Sequence, residues 1–371
     1  MSQGPTKSRD RAFMRRALAL ARKGLGRSSP NPAVGAVVIQ NGHILGRGYH
    51  ALAGTPHAEV HALSQAGQPA QGATIYVTLE PCNHQGRTLP CTRAILEAGI
   101  SRVVYGASDP NPKAQGGGAF LATHGLEVMS GVLAEECQEE HRFFLTSVRL
   151  GRPHVILKTA ATLDGRTVTQ SGDSKWVTGP AAREEVHRWR NWCDALCVGS
   201  GTALSDDPQL TCRLKGGRDP LRVIVDTSLK LPPTARAINP TSSAGCLLAC
   251  GPKPPARRRA RLEKEGVEVL PLPAAPDGVE LKALLADLHR RGVTSILLEG
   301  GAGLAWGFVA AGLVDEVMYF LAPKLVGGAF SPGMIGGAGF EKMAQALALG
   351  PVTVKKFGED LCLCAKVLRQ L

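Results

Sequence analysis

The sequence predicts an α/β protein of two domains, residues 1–150 and 151–371. Three observations carry this reading. At 371 residues the chain is longer than one hydrophobic core usually organises. Helix-spaced and strand-like apolar stretches alternate through the first 150 residues, the pattern of helices laid on a central sheet. The alternation restarts after Gly151-Arg152-Pro153, a turn-forming tripeptide that reads as the linker.

Taken in order, residues 10–23 place apolar side chains at helical spacing and stop near Gly24. Residues 33–39 and 44–49 read as strands joined by Asn41-Gly42, the strongest short hairpin signal. A short helix over 58–65, a strand over 74–79, a helix over 92–98 and a strand over 103–106 follow. In the second half, 154–157 is strand-like, 180–193 helical and 195–199 a strand. Residues 221–225, 245–249 and 294–298 are short apolar runs suited to buried strands.

Composition narrows the function classes. About 44% of residues are hydrophobic and 20% charged, ordinary for a globular chain. No run of eighteen apolar residues predicts a membrane span. The stretch from Met1 to Arg16 is polar and basic with no apolar segment behind it, so no secretory signal is expected. A cytoplasmic enzyme fits best. The formal net charge of +12 suits either nucleic acid or phosphorylated small molecules. Residues 253–261, KPPARRRAR, read as a solvated loop and helix start, with an anion-binding surface as the alternative. Aromatics make up 5% of the chain and none interleave with this run, so stacking on single strands is not expected. Eight of the ten cysteines lie mostly in apolar segments and read as buried thiols.

The other two, Cys82 and Cys91, belong to a constellation. His57-Ala58-Glu59 is followed some twenty residues later by a strand and then by Pro81-Cys82, with Cys91 further along the loop after an eight-residue spacer. One histidine and two thiolates make a three-ligand zinc site with an open fourth position. Water in that position has its pKa lowered to about 7. Glu59, two residues past His57, is free to move protons, the order found in zinc deaminases. The long spacer between the cysteines points to a metabolic deaminase rather than a nucleic-acid editor.

The second half carries its own pattern. Residues 295–305, SILLEGGAGLA, run from an apolar strand through glycines into a helix. Glycines there admit backbone N–H groups to a phosphate, and the helix N-terminus favours an anion; a plain tight turn is the alternative. Lys158-Thr159-Ala160-Ala161-Thr162-Leu163-Asp164-Gly165-Arg166, Ser174-Lys175-Trp176, Gly199-Ser200-Gly201-Thr202 and Asp206-Asp207-Pro208-Gln209-Leu210-Thr211-Cys212-Arg213 complete the set. Asp164 reads as a turn residue without a catalytic role.

With Asn31-Pro32-Ala33-Val34-Gly35, the Pro81–Cys91 loop and Asp109-Pro110-Asn111-Pro112, these motifs resemble the bifunctional deaminase–reductases of riboflavin biosynthesis. The resemblance spans nearly the whole chain beyond the first ten residues. It implies a cytidine-deaminase-like α/β/α sandwich followed by a dihydrofolate-reductase-like α/β domain. The implied activities are deamination of a phosphoribosylamino diamino-pyrimidinone and NADPH-dependent reduction of its ribosyl group to ribityl. It further implies zinc on His57, Cys82 and Cys91, with Glu59 as proton shuttle and Asn31, His50, His84 and Arg87 around the substrate. In the second half it implies NADPH against Ala160, Trp176, Thr202, Asp206, Thr227 and the loop Gly301, Ala302, Gly303, Leu304 and Ala305. The substrate would meet Lys158, Ser174, Arg190, Leu210, Arg213 and Glu299, with Arg190 and Arg213 as guanidinium forks for phosphate. Asp206 is the candidate for proton transfer. Two positions depart from the family: Arg87 stands where lysine is common, and Ala114 where valine is usual. The partner expected is a phosphorylated pyrimidine, with neither nucleic acid nor membrane. Apolar strand-like stretches of the second domain are compatible with a homo-oligomer.

A nucleic-acid deaminase fused to an unrelated domain would need an aromatic basic channel and a short cysteine spacer. A basic RNA-binding protein with structural zinc would close the fourth position with a protein ligand, for which His84 is the candidate.

Overall fold

The computed structural model describes residues 5–86, 89–238 and 242–368. The chain divides into two units, Met1–Arg152 and Pro153–Leu371.

In the first unit the elements run α1 (Pro5–Ala21), β1 (Gly35–Gln40), β2 (His43–Tyr49), α2 (Ala58–Ala66), β3 (Thr74–Leu79) and α3 (Cys91–Glu97). They continue as β4 (Arg102–Ala107), α4 (Gly117–Thr123), β5 (Glu127–Met129), α5 (Ala134–Glu140) and α6 (Arg142–Leu150). The five strands lie in the order β2-β1-β3-β4-β5. β1 is antiparallel to both β2 and β3, while β3, β4 and β5 are parallel. The expected hairpin forms with Asn41 at φ 51° and Gly42 at φ 82°, the pair of left-handed residues that a type I′ turn needs. Val37, Ile75, Val77, Val103 and Val104 from the strands meet Met14, Ile95 and Leu121 from the helices in one core. α1 sits directly on β1 at Gly35, where a Cβ would collide with the Ala17 carbonyl.

The second unit begins with β6 (His154–Thr162), α7 (Pro180–Trp192), β7 (Ala195–Gly199), α8 (Ser200–Asp206), β8 (Leu221–Val225) and β9 (Cys246–Cys250). Next come α9 (Ala256–Lys264), β10 (Glu268–Pro271), β11 (Ala274–Ala275), β12 (Gly278–Val279) and α10 (Leu281–Arg290). The chain ends with β13 (Ser295–Leu298), α11 (Ala302–Ala310), β14 (Glu316–Ala322), β15 (Thr353–Phe357) and β16 (Asp360–Lys366). The nine-stranded sheet has the order β10-β9-β8-β7-β13-β6-β14-β16-β15. It is parallel from β10 to β14 and antiparallel at β16 and β15. Val155, Leu157, Ile296 and Leu298 pack against Leu284, Leu288 and Phe308 in its core.

Several elements differ from the sequence expectation. β6 runs five residues past Leu157, to Thr162, because Lys158 and Ala160 alternate with core-facing residues on a strand buried on one side. α9 begins inside the basic run, at Ala256, in agreement with its reading as a loop and helix start. β14 to β16, for which no strand was expected, close the sheet with an antiparallel edge. Among the described residues no helix is long and apolar enough to cross a membrane.

Candidate active sites

The first candidate centre is built where α2, β3 and α3 meet. Gly46 and Gly48 let α2 lie directly on β2, since a Cβ at either would collide with the Ala62 or Ala58 carbonyl. His57 is the N-cap of α2, with extended backbone, and Glu59 falls in the first turn. Cys91 opens α3 behind Pro90, and Cys82 follows β3 after Glu80-Pro81. His57 Nδ1 lies 3.2 Å from Cys91 Sγ and 3.5 Å from Cys82 Sγ. The Cys91 N–H donates to Cys82 Sγ at 3.4 Å. All three donor atoms fall within 4.8 Å of one another, the only such metal-type group among the described residues. An imidazole and two thiols are a zinc donor set, and three protein ligands leave the fourth position for water. His84 does not join them; its Nδ1 is buried without a hydrogen-bond partner.

Hydrogen bonding from Cys91, against the effect of burial and helped by His57, holds the Cys82 thiol well below its ordinary range, in the direction of the thiolate that a metal ligand must be. Burial, joined by the neighbouring Cys82 charge, pushes the Glu59 carboxyl up to about 7. A carboxyl in that range gives and takes protons at neutral pH. His50 is buried; Asn31 Nδ2 lies 3.1 Å from its Nε2, and Nδ1 lies 3.3 Å from the Pro56 carbonyl. Burial lowers its pKa, and its ring meets that of His57 edge-on at 5.2 Å. Arg87 lies outside the described residues.

Glu80, which the sequence reading overlooked, braces the cysteine loop. Its buried carboxylate accepts the Gly118 N–H at 3.0 Å and the Asp109 N–H at 3.3 Å. It thereby ties the loop of Cys82 to the Asp109-Pro110 turn and to α4. Position 117 next to it must be glycine, because a Cβ would collide with the Pro81 carbonyl.

The second candidate centre is a cleft of about 1250 Å³ along the carboxyl ends of β6, β7, β8 and β13, where parallel α/β sheets bind ligands. Ala160, Trp176, Thr202, Asp206 and Thr227 line it, as do Gly301, Ala302, Gly303 and Leu304. Gly301 caps α11. No atom lies within 4 Å of where a Cβ would stand on Gly201 or Gly303, so both present bare backbone to the cleft. A dinucleotide needs this volume and this close backbone approach.

Lys158, Ser174, Arg190, Arg213 and Glu299 also line the cleft. Arg190 donates from Nε and Nη2 to the two oxygens of Glu299, each at 2.8 Å, and from Nη1 to the Thr211 carbonyl at 3.0 Å. Lys158 Nζ stands 3.8 Å from Glu299. Burial opposes ionisation of Glu299, yet Arg190 and Lys158 outweigh it and hold the carboxyl at about 2. The expectation of two phosphate forks therefore needs correction: the fork of Arg190 is closed on Glu299.

Leu210 and Ala305 are core residues, absent from the cleft lining. Leu210 instead turns the chain with φ 54°, and Ala305 faces the sheet from α11. Asp164 is the turn residue expected, accepting Thr162 Oγ1 at 2.6 Å and the Gly327 N–H at 2.7 Å. Two further cleft residues were missed, Arg183 and His187. Their signal was available: with Arg190 they repeat at i, i+4, i+7 along α7. Arg183 lies over the Trp176 ring at 4.6 Å.

Comparison with known proteins bears on both units. Residues 7–107 match the cytidine and deoxycytidylate deaminase zinc-binding region, and residues 153–363 match the RibD C-terminal domain. The riboflavin biosynthesis protein RibD of Bacillus amyloliquefaciens is 41% identical over 355 residues, 95% of each chain. The Thermotoga maritima diaminohydroxyphosphoribosylaminopyrimidine deaminase/5-amino-6-(5-phosphoribosylamino)uracil reductase superposes with TM-score 0.85 at 36% identity, covering 98% of this chain and 100% of that one. RibD from Acinetobacter baumannii gives 0.86 at 38% identity with the same coverage. Fold and sites thus define a zinc-type deaminase domain, cytidine-deaminase-like, joined to a reductase domain of dihydrofolate-reductase-like fold. The chain belongs to the RibD family, the bifunctional deaminase–reductases of riboflavin biosynthesis.

Proposed function

We propose that this chain performs both reactions named for its Thermotoga relative: hydrolytic deamination of the diamino-pyrimidinone, then reduction of the phosphoribosylamino uracil. The observation that carries the proposal is the buried Glu59 beside the converging His57, Cys82 and Cys91.

Bound zinc lowers the pKa of water to about 7. With zinc held by His57, Cys82 and Cys91, Glu59 would take up the proton lost by the attacking water and return it to the departing amino group, so that water and amine would give carbonyl and ammonia. Asn31, His50 and His84 line the substrate pocket. Bound NADPH supplies the hydride for the second reaction. Ala160, Trp176, Thr202, Thr227 and the Gly301–Leu304 loop orient the cofactor, the bare glycines admitting its pyrophosphate. Lys158, Ser174 and Glu299 position the opened ribose, whose C1 receives the hydride. Asp206, whose Oδ1 accepts Ser205 Oγ at 3.0 Å, assists the proton transfer that completes the reduction. Arg213 binds the substrate phosphate.

None of the ten cysteines is in a disulfide, in keeping with a reducing cytoplasm. The substrate is a phosphorylated small molecule, not nucleic acid. Exposed Val352, Val354 and Leu361 along the β15–β16 edge support self-association of the second domain.

Glu59→Gln tests the deaminase assignment. Removal of a general acid–base group costs about 10²–10⁴-fold, so deamination should fall by that factor. Zinc content and reduction of pre-deaminated substrate should hold. Deamination at the wild-type rate would refute the role of Glu59.

A further inference from the structure

The cations of the reductase cleft are not equivalent. Arg190 is committed to Glu299 and to the Thr211 carbonyl, and Arg183 lies over the Trp176 ring and donates from Nη1 to the Thr178 carbonyl, so Arg213 is the cleft guanidinium with both terminal nitrogens open to the substrate phosphate. Arg213 is an exposed side chain on the cleft wall, and a long exposed guanidinium has many rotamers to lose on binding. One contact restricts it. Its Nε donates to His187 Nε2 at 3.0 Å, while its terminal nitrogens have no hydrogen-bond partner among the described residues. His187 lies on α7 one turn before Arg190 and is itself buried.

The direction of that hydrogen bond requires a neutral ring. The backbone N–H of Arg213 also approaches His187 Nδ1, at 3.3 Å; a neutral imidazole accepts at one nitrogen only, and the shorter contact, 3.0 Å at Nε2, assigns the acceptor there. A protonated imidazole, a donor at both nitrogens, would be repelled by both N–H groups. Burial first, and then the charges of Arg190 and Arg213, push the His187 pKa down to about 4.

We infer that His187 is a positioning residue for the reductase reaction, one that fixes Arg213 through its Nε and aims the two free terminal nitrogens at the substrate phosphate. This rests on the reading of Arg213 as the phosphate contact. A bidentate phosphate site uses two guanidinium nitrogens in one plane, and fastening the third sets that plane. The role is orientation alone; hydride and proton transfer proceed elsewhere in the cleft.

The test compares His187→Leu, His187→Gln, Arg213→Ala and the double variant His187→Leu/Arg213→Ala in the full chain. Two quantities are read: the Kd of 5-amino-6-(5-phosphoribosylamino)uracil without NADPH, and KM and kcat for its reduction. Leucine removes the acceptor, whereas the glutamine amide oxygen can stand in for Nε2. His187→Leu should raise Kd and KM about tenfold while kcat and the KM for NADPH stay within about twofold. His187→Gln should recover most of the loss. The double variant should be no weaker than Arg213→Ala alone, because coupled groups are not additive. Additive losses, or an unchanged Kd in His187→Leu, would overturn the inference while leaving Arg213 in place. An unchanged Kd in Arg213→Ala would overturn the phosphate assignment itself. A rise in the NADPH KM in both His187 variants would mean a disturbed fold, and would count against a positioning role.

Discussion

Replacement of Glu299 by glutamine should destabilise the reductase unit by about 3 kcal/mol, a figure reached by two routes from the same ion pair. The first is the geometry of a buried ion pair. Glu299 holds Arg190 through two hydrogen bonds of 2.8 Å, and the two side chains are only 10% and 14% exposed. Removing one partner of such a pair strands the other charge and costs about 3–5 kcal/mol. The second route is proton linkage. The carboxyl sits at about 2 against an ordinary 4.5, a depression of about 2.5 units at 1.36 kcal/mol each, or about 3 kcal/mol. Because the folded value lies below the unfolded one, this stability is fully present above about pH 4.5 and is lost as pH falls towards 2. Urea unfolding of wild type and Glu299→Gln at pH 7, and again in steps from pH 5 to pH 2, measures both effects. The variant should lose about 3 kcal/mol at pH 7 and lack the corresponding acid-dependent loss. A difference below about 1 kcal/mol at pH 7, or parallel pH curves, would refute the reasoning.

Two further predictions concern the deaminase unit. Gly48→Ala forces a Cβ against the Ala58 carbonyl; it should cost about 1–3 kcal/mol by overpacking. Because α2 carries His57 and Glu59, deamination should fall more than the stability change explains, as thermal melting and ammonia release will measure. Cys82→Ser removes one of three thiolate or imidazole donors, so zinc content by atomic absorption should drop from one equivalent per chain to a small fraction. Reduction of the deaminated substrate should persist, and full zinc retention would exclude Cys82 as a ligand.

Much of this site was legible because its chemistry is local in sequence. His57-Ala58-Glu59 and Pro81-Cys82 are short strings on a helix start and a strand end, and residue type and order alone convey their meaning. Ladders fixed by apolar runs, such as β3 and β7, were equally readable. What escaped depends on tertiary partners. The carboxylate of Glu80 acquires its role from Gly118 and Asp109, about thirty to forty residues away. Arg190 resembled a phosphate fork until the fold brought Glu299 to it from 109 residues along the chain. Leu210 and Ala305 sit within motifs yet point into the core, a matter of side-chain direction that a string of residues does not carry. β15 escaped for another reason. All its residues but Phe357 are exposed, so no apolar face marks it as a strand.

The central claim is that one chain deaminates and then reduces the same substrate. NADPH consumption, followed by absorbance with the phosphoribosylamino diamino-pyrimidinone as sole substrate, tests it most directly. Oxidation should proceed, stop when a chelator strips the zinc, and resume when the deaminated intermediate is added. No oxidation of NADPH on either compound would contradict the account of the second domain. Oxidation that survives complete zinc removal with the diamino substrate would contradict the order of the two steps.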